Sequence, residues 1–241
     1  MTRPRGHHDP AERTPLVDVV LLRHGRSVAN EQGTYSGWSD PPLSPTGRAQ
    51  VHHAGQQLHD DRVPVDVVHT SLLGRAQHST ELLLDAWQQH PDTSTHRDWR
   101  LNERHLGLIQ GLTRDQVIKR WGNPARQSWR SDPTAVPPAV HPESAAHPRN
   151  QARYRHVPAE LLPGAESIDE LTRRVLAYWH TRIRPDIAAG RHVLVVAHRD
   201  TLRTIVGHLA TGDGIAFADR AIPTAQPLRY RFDPADPCTP V

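Results

Sequence analysis

The sequence predicts an α/β fold: a three-layer α/β/α sandwich with a mostly parallel central sheet and helices on both faces. Residues 17–23 (VDVVLLR), 65–70 (VDVVHT) and 192–197 (HVLVVA) are short, nearly continuous apolar runs, as expected for strands buried on both sides. A helix pattern follows each of the three runs. Strands and helices that alternate in this way favour a single sheet covered by helices on its two faces.

Capping signals place the first long helix, and periodicity places the shorter elements. Ser44 followed by Pro45 is typical of a helix start, so a helix is expected to continue to about residue 60. The other short helices are predicted at residues 75–89, 113–121 and 201–209. Residues 99–101 are predicted as a short strand, and the alternating residues 226–232 as an edge strand.

A second long helix is predicted after residue 167. Ser167 and Glu170 have the spacing of a capping box, in which each side chain bonds the backbone N–H of the other residue. We expect Pro185 to kink this helix because proline lacks the N–H that the helix needs, and Gly190 to end it.

The chain is expected to form one domain. Residues 1–15 are predicted to be disordered, residues 16–233 to form the domain, and residues 234–241 a short tail. Residues 122–164 contain eight prolines and few apolar runs. This insertion is therefore predicted to be a long, partly ordered excursion with no core of its own.

Composition excludes several classes of function. The net charge of the 241 residues is only +3 and the basic side chains are dispersed, which argues against nucleic-acid binding. No apolar stretch is long enough to span a bilayer, so no membrane association is expected. The single cysteine, Cys238, predicts a reducing, cytoplasmic location. The 18 histidines show no spacing typical of a metal site, and no metal is expected.

Two histidines and two arginines lie at predicted strand ends. Arg23 and His24 end the first strand, Arg75 lies one helical turn after the second, and His198 ends the third. The carboxyl ends of parallel strands meet at the edge of the sheet where ligands bind. An imidazole can accept a phosphoryl group and arginines can neutralise its oxygens, so the four residues predict a phosphoryl-transfer site. Singly, His198 is more typical of a structural histidine and Arg75 of a solvated helix residue.

A series of motifs resembles the cofactor-dependent phosphoglycerate mutases of the histidine phosphatase superfamily. The motifs are LRHGRSVAN (22–30), SGW (36–38), LSPTG (43–47), SLLGRA (71–76), WRLNERHLG (99–107), QGL (110–112), LPGAES (162–167), AH (197–198) and IPT (222–224). They run in order from about residue 16 to residue 232. LNERH and the QGL after it are far more specific than Arg-His-Gly alone.

The resemblance implies roles for the residues at the strand ends. His24 would be the nucleophile that becomes phosphohistidine. Arg23, Arg75 and His198 would hold the phosphoryl oxygens, with Asn30 assisting.

It also implies a proton donor and substrate contacts. Glu103 would exchange the proton of the substrate oxygen, which requires that burial raise its pKa. Ser36 and Gly37 would contact the substrate through their backbone, while Arg104 and Arg130 lie in the stretch that binds its distal anionic groups.

Several positions depart from the family pattern, and they cluster at the expected site. The departures are Arg26 for a typical glutamate, Leu106 for tyrosine, Arg114 for lysine, Arg130-Ser131 for two arginines, and Arg199-Asp200-Thr201 for Gly-Asn-Ser. Arg26, Arg114, Arg199 and Asp200 are therefore candidate substrate-binding residues. Asp200 brings a negative charge to a phosphate site, and we expect it to pair with Arg26 or Arg199. The family tail that closes over the site is largely missing, which should favour hydrolysis.

The sequence leaves three functions open. The first is mutase-like phosphoryl transfer on 2- or 3-phosphoglycerate or a relative, with an altered pocket. The second is a phosphomonoesterase that uses the same phosphohistidine chemistry, and the third is a non-catalytic phosphate-binding protein. The resemblance implies a dimer or tetramer, no permanently bound cofactor, and 2,3-bisphosphoglycerate as a possible phosphoryl primer.

Overall fold

The computed structural model describes residues 15–88, 93–211 and 217–241, and within them a five-stranded sheet forms the centre. Its strands are β1 (Val17–Arg23), β2 (Val67–Thr70), β3 (Ser94–Arg97), β4 (Val193–Ala197) and β5 (Leu228–Phe232). The order across the sheet is β3-β2-β4-β1-β5. All neighbouring pairs are parallel except β1 with β5, which confirms the mostly parallel sheet and the C-terminal edge strand.

Helices cover both faces of the sheet, as predicted. The helices are α1 (Val28–Gln32), α2 (Pro45–Asp60), α3 (Gly74–Trp87), α4 (Arg114–Trp121), α5 (Asn123–Ser131), α6 (Ile168–Tyr178), α7 (Arg184–Ala188) and α8 (Arg199–Thr211). Alternate residues along the strands point to opposite faces. Val20 and Leu22 pack with α2 and α3, whereas Val19 and Leu21 pack with α6 to α8. The sheet is therefore the middle layer of three.

The predicted capping signals are present. Ser44 Oγ accepts a hydrogen bond from Gly47 N–H at the start of α2. Ser167 and Glu170 form the reciprocal capping box of α6, with distances of 2.8 and 3.1 Å.

The kink before Pro185 is also present, in a specific form. A π-helical turn, Trp179–Ile183, separates α6 from α7. Proline has no N–H for the carbonyl four residues earlier, so the regular hydrogen-bond ladder cannot continue through this point. Gly190 adopts φ 75° and donates to Ile187 O, which ends α7 as predicted.

The predicted strand at residues 99–101 is wrong. Trp99–Leu101 is a 3-10 turn, and the edge strand of this region, β3, lies earlier at Ser94–Arg97. The Asp98 carboxylate accepts from Arg100 N–H at 2.8 Å and caps the turn. The bulky apolar residues of this tripeptide suggested a strand, but a capped turn satisfies the local backbone instead.

Other predicted boundaries shift by a few residues. Helix α8 begins at Arg199 rather than residue 201, so Arg199 and Asp200 lie in its first turn. Helix α3 spans Gly74–Trp87 and ends where Gln88 adopts φ 57°; the predicted last residue, 89, lies outside the described residues. Strand β2 begins at Val67 rather than residue 65.

The proline-rich insertion packs against the main body of the domain. It contains α5 and the 3-10 turns Pro148–Asn150, Ala152–Tyr154 and Ala159–Leu161. Tyr154 and Leu162 are buried in a small apolar cluster with Trp38 and Leu73. The Tyr154 hydroxyl accepts from the Asn102 amide at 3.0 Å, which ties the insertion to the LNERH segment.

The last residues of the chain pack beside the edge strand, whereas most of the N-terminal segment lies outside the described residues. The predicted disordered segment, residues 1–15, falls outside the described residues except for Pro15. Val241 N–H donates to Arg231 O, so the last residues fold back along β5. Within the described ranges, every helix is too short or too polar to cross a bilayer.

Candidate active site

The carboxyl ends of β1 and β4 bring the two histidines together. Arg23 of β1 pairs with Ala197 of β4, so the residues that follow them, His24 and His198, are neighbours. His24 N–H donates to Ala197 O at 3.0 Å, and the two imidazole rings lie 5.1 Å apart. Strand β2 ends beside them at Ser71. This is the juxtaposition that the strand-end rule predicted.

Local contacts fix the tautomer of His24. Its Nδ1 lies 2.7 Å from Gly25 O, and because a carbonyl only accepts, Nδ1 holds the proton. The lone pair of the neutral ring is therefore on Nε2, which faces Arg75 Nε at 3.4 Å. Burial, together with the charges of Arg75 and Arg23, holds the pKa of His24 well below its ordinary value. The ring is neutral at pH 7 and is a competent nucleophile.

His198 is neutral as well and has one ring nitrogen free for a ligand. Its Nε2 lies 2.7 Å from Ser71 Oγ, and burial with the nearby arginines holds its pKa well below the ordinary value. Its Nδ1 is buried and has no hydrogen-bond partner among the described residues. A buried nitrogen without a partner is costly, so it marks a place where a ligand atom can bind.

Arg75 is a buried guanidinium fixed by backbone oxygens. Its side chain is 1% exposed, and its two Nη groups donate to Ser39 O and Gly37 O at 2.8 Å each. Burial lowers the pKa of Arg75 to about 10, so it remains a cation at neutral pH. The remaining Nε–H points at His24, which places a fixed positive charge beside the nucleophile.

Arg23 supplies a second cation with an unused donor. Its Nη1 donates to Ile222 O at 2.9 Å, whereas its Nε is buried without a partner among the described residues. Arg23 Nε and His198 Nδ1 are thus two unsatisfied polar groups next to His24. An anion at this position would satisfy both.

Glu103 lines a cavity together with Arg23, His24 and Arg75. It lies on the loop after the Trp99–Leu101 turn. Its Oε1 accepts from Arg104 N–H at 3.0 Å and from Asp200 N–H at 3.1 Å. Burial and the charge of Asp200 raise the pKa of Glu103. The Glu103 carbonyl accepts from Trp38 Nε1 and from Arg174 Nη2, so the backbone of the acid is held from two sides.

Most of the predicted site residues surround one cavity of about 250 Å³. It is lined by Arg23, His24, Asn30, Gly33, Thr34, Tyr35, Ser36, Gly37, Arg75, Glu103, Leu106, Arg114, Arg199 and Asp200. The amide oxygen of Asn30 accepts from Ser27 N–H in the capping box of α1. Gly37 has φ 52°, and a Cβ there would lie 2.1 Å from Gln110 Oε1, so glycine is required.

Four predicted residues do not line this cavity. His198 is fully buried and contacts His24 and Ser71 behind its wall. Arg104 and Arg130 line an adjacent cavity of about 460 Å³, which shares Arg23, Arg199 and Asp200 with the first. The Arg26 side chain is exposed. Its backbone carbonyl accepts from Ser44 N–H, and its backbone N–H donates to the Gln50 side chain. The structure does not bring the Arg26 side chain to the site.

Of the two predicted partners of Asp200, Arg26 and Arg199, the structure pairs it with Arg199. Asp200 Oδ1 accepts from Arg199 Nε at 3.0 Å, and Oδ2 lies 3.5 Å from Arg104 Nε. The pair with Arg26 does not form. Arg199 and Arg104 lower the pKa of Asp200 despite its burial, so the carboxylate is charged at neutral pH.

Several residues that shape the site were not predicted from the sequence. Ser71 orients His198, and its position directly after β2 was a usable signal. Gln110 fixes the Ser36-Gly37 turn by accepting from Trp38 N–H. Arg174 donates to Glu166 and to the carbonyls of residues 100, 102 and 103, a contact that only the tertiary structure creates.

Within residues 15–88, 93–211 and 217–241, no group of three or more His, Cys, Asp or Glu side chains is arranged to hold a metal ion. The charged groups at the cavity are mainly arginines, which bind anions rather than cations.

Comparison with known proteins gives a consistent assignment. Residues 19–153 and 139–237 match the histidine phosphatase superfamily (branch 1). A 2,3-bisphosphoglycerate-dependent phosphoglycerate mutase from Thermobifida fusca (strain YX) is 40% identical over 218 residues, which cover 90% of this chain and 88% of that protein.

Solved structures share the fold. A phosphoglycerate mutase from Bacillus anthracis str. Sterne matches with a TM-score of 0.68 at 18% identity, covering 95% of this chain and 92% of the other. A mycobacterial glucosyl-3-phosphoglycerate phosphatase matches with a TM-score of 0.56 at 26% identity, covering 81% and 80%. The chain therefore belongs to the phosphoglycerate mutase family, in branch 1 of the histidine phosphatase superfamily, as a divergent member.

Proposed function

We propose that this protein transfers phosphoryl groups through a phosphohistidine at His24, acting on 2- or 3-phosphoglycerate or a related small phosphate ester. The observation that supports this most directly is the surroundings of His24. A neutral imidazole with its lone pair on Nε2 lies next to the cation of Arg75, the unpartnered donor Arg23 Nε and the unpartnered nitrogen His198 Nδ1.

In the first step, His24 Nε2 attacks the phosphorus atom and the bond from phosphorus to the ester oxygen breaks. Arg23, Arg75 and His198 stabilise the charge on the non-bridging oxygens. Glu103 gives its proton to the departing oxygen, and its raised pKa keeps that proton available. In the second step, an acceptor oxygen attacks the phosphorus atom, the bond from phosphorus to His24 Nε2 breaks and returns its electron pair to the ring, and the proton of the acceptor passes to the Glu103 carboxylate.

The preferred acceptor is a second hydroxyl group of the substrate, which makes the reaction a mutase reaction. The curated relative from Thermobifida fusca supports this choice because it is similar over nine tenths of the chain. In this reaction 2,3-bisphosphoglycerate would prime His24. The cation of Arg75 and the unpartnered Arg23 Nε at this cavity support the binding of one of its phosphates beside His24.

Hydrolysis is the second candidate, and one observation favours it. Asp200, which also pairs with Arg199, offsets part of the charge of Arg104, so a distal carboxylate or phosphate would gain less from this arginine. A substrate held less firmly leaves sooner and admits water to the phosphohistidine. Among the described residues, Arg23 Nε and His198 Nδ1 are unpartnered, and they lie beside a neutral imidazole whose Nε2 can attack phosphorus. The presence of this nucleophile argues against a protein that only binds phosphate.

The experiment supplies 3-phosphoglycerate with and without 2,3-bisphosphoglycerate and follows both 2-phosphoglycerate and free phosphate. Isomer formation without phosphate release identifies a mutase, and release from several esters identifies a phosphatase. His24→Ala should lower either activity by about a thousandfold or more, whereas His96→Asn, at an exposed position of β3, is the matched control. Absence of both activities, with no acid-labile phosphate on His24, would refute the proposal.

Two further expectations remain predictions. A dimer or tetramer is expected from the family, and light scattering on the full chain tests it. A cytoplasmic location is expected from the single cysteine, and fractionation of the source cells tests that.

A further inference from the structure

Arg199 and Asp200, together with Arg23, line both the reaction cavity and its neighbour. The reaction cavity contains His24, and the adjacent cavity contains Arg104 and Arg130. Arg199 and Asp200 stand side by side in the first turn of α8, directly after His198. The wall that the two cavities share therefore includes an ion pair that is also close to the reacting groups.

Asp200 is held firmly in this wall. It is 4% exposed, its carboxylate contacts Arg199 and Arg104, and its N–H donates to Glu103 Oε1. Because α8 fixes its backbone and two arginines fix its side chain, the carboxylate cannot turn away from the cavity without losing these contacts. The negative charge is a permanent part of the wall.

Arg104 is the residue most affected by this charge. It is 6% exposed, and its Nη1 donates to Trp129 O at 2.8 Å. Its Nε has no hydrogen bond, but Asp200 Oδ2 lies 3.5 Å away. A buried arginine beside a substrate cavity would attract an anionic group, and here the protein's own carboxylate occupies that position.

We propose that Asp200 is a specificity-determining residue that selects phosphate esters with an uncharged, hydrogen-bond-donating group at this wall over esters with a carboxylate or second phosphate there. The inference rests on the proposed phosphoryl site at His24 and narrows its substrate class: among the proposed substrates it favours a related small phosphate ester over 2- or 3-phosphoglycerate itself. A hydroxyl can donate to the Asp200 carboxylate, whereas a carboxylate meets a like charge that solvent screens poorly.

The other cations of the cavity do not remove this discrimination. Arg114 is exposed at the start of α4, where water and salt screen its charge. The side chain of Arg199 is 51% exposed, and its Nε is already used by Asp200. Of the charged residues that line the His24 cavity on this side, Asp200 is therefore the buried one.

Two probes that differ in one group test the proposal. In 3-phosphoglycerate a carboxylate stands where glycerol 3-phosphate has a hydroxymethyl group, and both have the same phosphate ester. Their dissociation constants are measured by calorimetry in a His24→Ala background, where no transfer occurs. Asp200→Asn should lower the dissociation constant of 3-phosphoglycerate, relative to that of glycerol 3-phosphate, by about tenfold or more.

Asp219→Asn is the matched control. Asp219 also pairs with an arginine, Arg203 at 2.9 Å, and lines the adjacent cavity but not the one that contains His24. This variant should leave the ratio of the two constants unchanged. If Asp200→Asn unfolds because two arginines lose their partner, Arg199→Ala with Asp200→Asn restores the charge balance and should shift the ratio in the same direction.

An unchanged ratio in both Asp200 variants would overturn the inference, as would an equal shift in Asp219→Asn. Failure of the proposed function is read separately, from the absence of acid-labile phosphate on His24 in the otherwise unmodified protein after incubation with each ester. The binding ratio is measured without any transfer, so the two failures are distinguishable.

Discussion

The two sides of the reaction cavity are both rich in arginine, but they balance charge in opposite ways. On the His24 side, Arg23 Nε and His198 Nδ1 are buried and unpartnered, and Arg75 points its Nε at the nucleophile. On the Asp200 side, one carboxylate of the same chain is shared by two arginines, Arg199 and Arg104. Among the described residues, both sides have a buried arginine Nε without a hydrogen bond, but only on the Asp200 side does a carboxylate of the chain lie within 3.5 Å of it.

This difference shows how the reaction side and the specificity side of one site can diverge separately. The His24 side depends on strand ends and carbonyl contacts that the fold imposes, so it leaves little room for change. The Asp200 wall depends on two side chains in one helical turn. A few substitutions there alter which ester is accepted while the phosphoryl chemistry stays the same.

The largest effect is expected for Glu103→Gln, which keeps the shape of the acid but removes its proton. With an alkyl phosphate, whose leaving oxygen needs that proton, the rate of phosphohistidine formation should fall by about 10² to 10⁴. With p-nitrophenyl phosphate, a good leaving group, the loss should be small. Equal losses with both esters would show that Glu103 is not the acid.

The same variant has a predicted pH signature. The protonated acid is the active form in the first step. The rate at which the unmodified protein forms phosphohistidine should therefore fall as pH rises through the raised pKa of Glu103. This alkaline decline should disappear in Glu103→Gln. A decline that persists would assign it to another group.

The next largest effect is expected when the same substitution, arginine to glutamine, is made on each of the two sides of the cavity. Arg75→Gln should lower kcat/KM for phosphoryl transfer by roughly 10² to 10³, because it removes a fixed charge at the reacting phosphate. Arg104→Gln should change it by less than about tenfold, because Asp200 already offsets part of its charge. Thermal unfolding of both variants serves as the folding control. Equal losses would abolish the distinction between the sides.

The smallest effect concerns stability. His24 and His198 are buried in neutral form with lowered pKa values, so the unfolded chain binds more protons than the folded one below pH 6.5. The folded state should lose stability as pH falls through and below 6.5, by about 1.4 kcal/mol per pH unit for each histidine. His198→Gln should flatten this slope by one histidine's share, measured by denaturant unfolding between pH 5 and 7.5. A slope identical to that of the unmodified protein would contradict the assignment.

The fold was predictable because its main signals are local. Apolar runs gave β1, β2 and β4, and caps such as Ser44 and Ser167 gave the helix starts. The error at Trp99–Leu101 arose because a capped turn and a short strand share the same apolar composition. The turn is decided by the Asp98 cap and by burial of Leu101 in the core, and neither appears in a strand pattern.

Within the site, the sequence alone determined that His24, His198, Arg23 and Arg75 come together, because strand ends of a parallel sheet must share an edge. The resemblance of the LNERH motif also implied that Glu103 belongs to this site, and Glu103 lines the same cavity as His24. Only the tertiary structure decided that Asp200 pairs with Arg199 and Arg104 rather than with Arg26, and that Arg174 holds the Glu103 backbone. Long side chains choose partners by distance and burial across elements far apart in the chain, and these quantities exist only once the chain has folded.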